Sequence, residues 1–300
     1  MNNFRKIFVA IDFSPIADEA LRQAHLRAEA ANAHLAVCHI VPNELRSDLL
    51  FPQITKVAAL QIPLELAQIS EAAAQRVTEI TGRTEKQYEL IVDDGAPHAV
   101  ILSHAEEWAA DLVVMGSHGE SGPGEALLGS VTNSVLRHAH CPVLIVRPGE
   151  RSQSIVAGTD FSDPSMPAVR AAADEAERTG AKLTVVHSLD LIWSPASYPA
   201  LAFGGTPFNI SADQITELEG IARERLEKFL REAEITGDAL ITTGPAGMAL
   251  VNVAKEEMSN LIVVGTTGRS GLRRALLGSV AEFVTSNSPC SVLVVRRHPE

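Results

Sequence analysis

One pattern occurs twice in the chain, 149 positions apart. The first copy is Gly116-Ser-His-Gly119, nine residues, then Gly129-Ser130; the second is Gly265-Thr-Thr-Gly268, nine residues, then Gly278-Ser279. Each copy follows an apolar run, Leu112–Met115 or Leu261–Val264, and each precedes another, Val143–Val146 or Val292–Val295. The repeat extends to the start of each half. Asp12-Phe-Ser14 matches Asp160-Phe-Ser162, and His34–His39 matches Lys182–His187, both at an offset of 148. A chain that repeats at this period must fold as two like units. The boundary falls at the turn-forming stretch Pro148–Ser152, which divides the chain into domains 1–148 and 152–300. Each is close to the ~150 residues at which a domain buries enough surface to fold without staples.

Within each half, short apolar runs alternate with amphipathic stretches. Strands read near 5–11, 34–41, 86–92, 111–116 and 142–147, and again near 154–159, 182–188, 238–243, 260–265 and 291–296. Helices read near 15–31, 58–82, 96–109 and 130–139. Ser14-Pro15 has the form of a capped helix start. Ser211-Ala-Asp-Gln214 opens the long helix of the second half as a capping box. Near-continuous apolar strands separated by helices imply an α/β fold, two repeated doubly wound domains, each a parallel sheet covered on both faces. Two long connections, roughly 42–57 and 189–210, follow the second strand of each half. The later one carries Trp193, Tyr198 and Phe203, which either cover a ligand or partner or pack on their own domain.

Acidic residues outnumber basic ones 37 to 25, for a formal charge of −12, which argues against binding nucleic acid or an anionic membrane. No apolar run reaches the ~18 residues of a membrane span, and the first residues enter a strand without a signal-peptide pattern. The cytoplasm is the expected compartment. Three widely spaced cysteines form neither a zinc pattern nor a disulfide framework and read as buried thiols. His138, His140 and Cys141 cluster, but the second half has Asn287, Pro289 and Cys290 there, so no metal site is expected.

Glycines leaving a parallel strand, with Gly-Ser opening a helix, let a backbone approach an anion while free N–H groups point at it. In an open parallel sheet such a site lies beyond the carboxyl ends of the strands. Asp12 and Asp160 end their first strands and face the same crevice. There a carboxylate can bond a ribose hydroxyl or an adenine amine, or help hold a metal; it can also simply cap the next helix. Ser130 and Ser279 have the same bland alternative as caps. The pattern is neither a Walker loop, since no lysine follows the glycines, nor a dinucleotide fingerprint after the first strand.

With Asp ending strand one, His near the end of strand two and Gly-x2-Gly-x9-Gly-Ser after strand four, the chain resembles the universal stress protein family, in its tandem two-domain type. The resemblance covers almost all 300 residues. It implies a five-stranded parallel sheet of order 3-2-1-4-5 in each half. It also implies membership of the branch that binds ATP, with or without Mg. By position, Asp12 and Val41 would meet the adenine and ribose end, with Met115 at the close of strand four. Gly116, Gly119, Gly129, Ser130 and Val131 would hold ribose and phosphates. The second-half set is Asp160, Leu189, Val264, Gly265, Gly268, Gly278, Ser279 and Val280, joined by Arg269. Leu189 replaces the usual valine, a change that a backbone contact to adenine survives.

The halves differ in charge. The first nine-residue spacer carries Glu120 and Glu125, with Pro123 and Gly124; the second carries Arg269, Arg273 and Arg274. At an effective dielectric of ~20, a pair of unit charges about 6 Å apart is worth roughly 3 kcal/mol before screening. The second half is therefore the expected stronger ATP site, unless its arginines only face solvent. No positioned base or nucleophile accompanies the motif, so catalysis is expected to be absent or at most weak ATP hydrolysis or autophosphorylation. The expected role is a nucleotide-dependent sensor or regulator with a protein partner not yet known. The rival readings are a slow ATPase and a nucleotide-free scaffold. The resemblance also implies an intrachain pseudo-dimer of the two halves, with a further homodimer open.

Overall fold

A computed structural model describes residues 4–42, 54–119, 128–149, 152–190, 211–266 and 277–296, the backbone alone over 54–65 and at 164. It divides into two compact units between Pro148 and Gly149.

In the first unit, β1 (Lys6–Ile11), β2 (His34–Pro42), β3 (Glu89–Gly95), β4 (Leu112–Gly116) and β5 (Val143–Val146) are all parallel, in spatial order β3-β2-β1-β4-β5. Helices α1 (Pro15–Ala31) and α2 (Ile54–Thr81) pack together, and so do α3 (Pro97–Glu107) and α4 (Ser130–His138). The strand order reverses between β1 and β4, and this opens a crevice at their carboxyl ends. The sheet is the core: Ile7, Phe8, Val9, Val37 and Val113 are fully buried. This is why these strands are apolar along their whole length instead of alternating.

Helix α1 forms where the sequence places it. Ser14 is the N-cap, its Oγ accepting the Ala17 N–H (3.3 Å), with Pro15 in the first turn. Ala17, Ala20, Ala24 and Ala28 form a buried small-residue stripe that lets the helix lie close over β1 and β4. Buried Asp18 on α1 receives Arg76 of α2, whose Nε donates to Oδ1 at 3.0 Å and whose Nη2 donates to Oδ2.

The second unit repeats the topology. Its strands are β6 (Ser154–Gly158), β7 (Lys182–Leu189), β8 (Asp238–Thr243), β9 (Leu261–Gly265) and β10 (Ser291–Val295), all parallel in order β8-β7-β6-β9-β10. Its helices are α5 (Met166–Thr179), α6 (Ala212–Glu232), α7 (Ala246–Glu256) and α8 (Ser279–Asn287). The capping box at Ser211 is formed: Ser211 Oγ accepts from Gln214 N–H, and Gln214 Oε1 from Ser211 N–H (2.9 Å).

Two element boundaries differ from the sequence reading. Strand β3 begins at Glu89, about three residues late, because Thr84 N–H donates to Gln87 Oε1 (2.8 Å) and holds a 3-10 turn over Glu85–Gln87. Helix α2 starts at Ile54, so the first long connection is shorter than expected. The expectations for residues 43–53 and 191–210, with Trp193, Tyr198 and Phe203, lie outside the described residues. Cys38, Cys141 and Cys290 are buried thiols, as read from the sequence. Burial, with Asp93 nearby, pushes the Cys38 thiol up to about 12, so it is a packing group, not a nucleophile. No helix among the described residues is long and apolar enough to cross a membrane.

Candidate functional site

The same turn leaves the first strand of both units. Asp12 Oδ1 accepts from Ser14 N–H (3.1 Å) and Ser14 Oγ (2.5 Å); Asp160 Oδ1 accepts from Ser162 N–H (3.0 Å) and Ser162 Oγ. Between them, Phe13 and Phe161 sit in the left-handed region, at φ 65° and 62°. For a bulky side chain that conformation costs of order 1–3 kcal/mol. Ring contacts offset part of it: Phe13 lies on His39 with centroids 4.6 Å apart, Phe161 on His187 at 4.2 Å. Each histidine donates from Nδ1 to a backbone carbonyl, that of Ile11 at the end of β1 or of Thr159 just past β6, both at 2.9 Å. Asp12 orients the helix cap through Oδ1, and Ser14 is the cap itself. Its Oδ2 faces the glycine loop, where a Cβ on Gly119 would collide with it.

The glycine motif closes on itself through the backbone. Gly129 N–H donates to Ser117 O, and Gly278 N–H to Thr266 O, both at 2.7 Å. A Cβ on Gly129 would stand 3.2 Å from His118 Cα and 3.5 Å from Ser117 O, so the two backbones press together and a side chain there would make one of them give by a few tenths of an ångström. Gly129 and Gly278 are the N-caps of α4 and α8, and neither cap offers a side chain to the helix. Ser130 and Ser279 are therefore first-turn residues and do not cap. The first intrahelical acceptors are Gly129 O, taken by Asn133 N–H, and Gly278 O, taken by Glu282 N–H. The amides of Ser130–Thr132 and Ser279–Ala281 precede them and project from the helix ends.

In the second unit these parts enclose a cavity of about 200 Å³ at the carboxyl edge of the sheet. Asp160, Val264, Gly265, Gly278, Ser279 and Val280 all line it. Leu189, at the end of β7, does not; its carbonyl accepts Gly244 N–H at 2.9 Å. Gly268 and Arg269 lie outside the described residues, as do Arg273, Arg274, Glu120 and Glu125. Sequence reasoning missed four hydroxyl residues on the cavity wall, Thr159, Ser165, Ser188 and Thr266. Gly158 shapes the wall too, since a Cβ there would stand 2.9 Å from Leu250 Cδ1. In the first unit, Met115 and Gly116 end β4, Val41 is the penultimate residue of β2 and pairs with Asp94, and Val131 follows Ser130 on α4. Larger open clefts lie at the opposite, amino-terminal edge of each sheet, away from all of these residues.

Four further histidines make bonds within the first unit. His138 Nδ1 bonds Ser134 O (2.8 Å), His140 Nε2 bonds Ala110 O (2.8 Å), and His118 Nδ1 meets Ser117 Oγ (2.9 Å). His104 Nε2 pairs with Asp93 Oδ2 at 2.9 Å, and this bond first, then the Asp94 N–H, holds the Asp93 carboxyl below its usual range despite burial. Among the described residues no group of three histidine, cysteine or carboxylate side chains is placed to hold a metal.

Fold and site together define a class: tandem doubly wound α/β units with a glycine-capped helix start beyond the carboxyl edge of each sheet. The sequence model of the universal stress protein family matches residues 3–147 and again 152–296. The chain belongs to the universal stress protein family, as a tandem of two such domains. It is 29% identical over 307 residues to universal stress protein Rv2623 of Mycobacterium tuberculosis, covering 98% of this chain and 97% of that protein. It is 30% identical over 301 residues to Rv2005c of the same organism, covering 97% of each. A protein of unknown function from Pseudomonas aeruginosa, PA1789, shares the fold at a TM-score of 0.65 and 21% identity over 98% of this chain and 93% of its own. A universal stress protein from Archaeoglobus fulgidus does so at 0.62 and 19%, over 98% and 97%.

Proposed function

We propose that the protein is a cytoplasmic, nucleotide-dependent regulator of the stress response, binding adenine nucleotide at the carboxyl edge of each sheet and acting through a protein partner. The observation that carries this reading is the second-unit cavity. It unites a carboxylate able to take ribose hydroxyls, Asp160, with the projecting first-turn amides of α8, which favour an anion. ATP fits that polarity, and Mg would arrive with its phosphates. The residues that would hold it are Asp160, Gly265, Gly278, Ser279 and Val280, with Gly268 and Arg269 from the adjoining loop. In the first unit they are Asp12, Val41, Gly116, Gly119, Gly129, Ser130 and Val131.

The second site is the stronger, because its loop brings three guanidinium groups where the first brings two carboxylates. Calorimetric titration of the nucleotide-stripped chain with Mg-ATP tests this. Tight binding near one per chain, abolished by Gly278→Asp and retained by Gly129→Asp, is the expected result. Equal loss in the two variants would overturn the ranking, and no binding at all would overturn the nucleotide reading.

A further inference from the structure

One ring nitrogen in the first unit accepts from a cation. Arg83, just past the end of α2, donates from Nε to His25 Nδ1 on α1 at 3.0 Å. Guanidinium nitrogens only donate, so Nδ1 holds a lone pair and the proton of the neutral ring sits on Nε2. Nε2 stands 3.8 Å from Glu29 Oε2, and the His25 side chain is 12% exposed. From Arg83 the bonds run on into the connection between α2 and β3. Its Nη1 donates to Gln87 O (2.9 Å), its N–H donates to Thr81 Oγ1 (3.1 Å) and its carbonyl accepts Thr78 Oγ1 (3.1 Å). One residue thus ties α1, the last turn of α2 and the 3-10 turn before β3. The second unit has Ala173 and Glu232 at the equivalent positions and cannot form this contact.

We propose that His25 and Arg83 form an acid-released latch in the first unit. At neutral pH the neutral ring holds Arg83, and with it the connection 82–88. A second proton can enter the ring only at Nδ1, where it sets N–H against N–H and cation against cation. The bond to Arg83 is then lost, and the connection is freed from α1. Arg83, Gln87 and Tyr88 all line the cleft at the amino-terminal edge of the first sheet, so acidification loosens its lining. Burial first lowers the proton affinity of His25; Glu29 opposes it, and Arg83 adds to the lowering. With the native value lowered, the latch contributes fully above the ordinary histidine value of ~6.5 and is lost as pH falls through the lowered one. The other titratable groups on the packed elements are engaged elsewhere or exposed. Arg22 pairs with Glu19 on α1, and Arg76 of α2 with Asp18 and Glu79. Tyr88 turns its hydroxyl to Ala74 O (3.5 Å), and Glu85 and Lys86 of the 3-10 turn are exposed.

The test is amide hydrogen exchange across 82–88 in the full-length chain at about pH 7.5 and about pH 5, each rate divided by that of an unstructured peptide at the same pH. The N–H groups of Gly82, Arg83, Thr84 and Gln87 are all hydrogen-bonded in the closed form, so their exchange reports opening. Wild type is expected to lose protection several-fold on acidification, while the matching connection of the second unit keeps its own. His25→Asn, whose Oδ1 can replace Nδ1 as acceptor but does not titrate, should hold its protection at both pH values. Arg83→Met should exchange fast at both, and the His25 ring, followed by its NMR shift, should then titrate at a higher pH than in wild type. Thermal melting checks that the variants are folded; if His25→Asn is not, the ring titration with and without Arg83→Met decides. Protection that is the same at both pH values in wild type overturns the proposal. A pH response that persists in a folded His25→Asn assigns it to another group and overturns it equally, as does a His25 midpoint unmoved by Arg83→Met.

Discussion

Gly129 has a steric duty that is separate from any ligand. Its missing Cβ lets its own backbone lie against Ser117 and His118. Gly129→Ala should destabilise the first unit by about 1–3 kcal/mol, seen as a fall of several degrees in its thermal midpoint. A midpoint within a degree of wild type would show that the loop yields instead. A second residue-scale prediction concerns pH. The native chain keeps Asp93 ionised to lower pH than an unfolded chain does, so the stability it contributes is complete above the ordinary aspartate value of ~3.9 and is lost as pH falls through the lowered one. Urea unfolding should find His104→Gln less stable than wild type near pH 6, with the gap closing toward pH 3. A gap that stays constant would mean the pair contributes nothing. The glycines and the two aspartates were legible in the sequence because their duties depend on residue identity at fixed spacing. Thr159, Ser165 and Ser188 were not, because isolated hydroxyls are common in turns and only the folded hydrogen-bond pattern shows where their protons go. The left-handed Phe13 and Phe161 also had no sequence signal, since a bulky aromatic is the last residue that position invites.

At the scale of elements, caps and apolar runs located all ten strands, the four helices of the first unit and the long α6 of the second, while α5, α7 and α8 follow from the repeat alone. Boundaries slipped where a side chain intervened, as Gln87 does in delaying β3. The strand order came from family resemblance and is observed in both sheets; periodicity alone could not have supplied it. The capping box of α6 gives a direct test. Ser211→Ala should cost about 1 kcal/mol and speed exchange of the Gln214 amide, which Ser211 Oγ now accepts. Unchanged exchange at Gln214 would mean that the cap is idle in solution.

For the molecule as a whole, duplication supplies an internal control: one fold, twice, with opposite charge in the equivalent loops. Replacing residues 120–128 with the sequence of 269–277 should raise ATP affinity at the first site, increasingly so as ionic strength is lowered. The thermal midpoint should stay within a few degrees of wild type. A chimera that gains no affinity would show that the arginines face solvent. The expectation of unchanged stability follows from the bonds Gly129 N–H to Ser117 O and Gly278 N–H to Thr266 O. Each fastens the two ends of its loop to the sheet before the intervening residues matter. Lengthening such a tethered span costs only slowly growing entropy, about 0.6 kcal/mol per doubling. Each half is thus a socket with a replaceable insert. Architecture and ligand preference can be inherited separately, and one copy can change its chemistry while the other keeps the ancestral one.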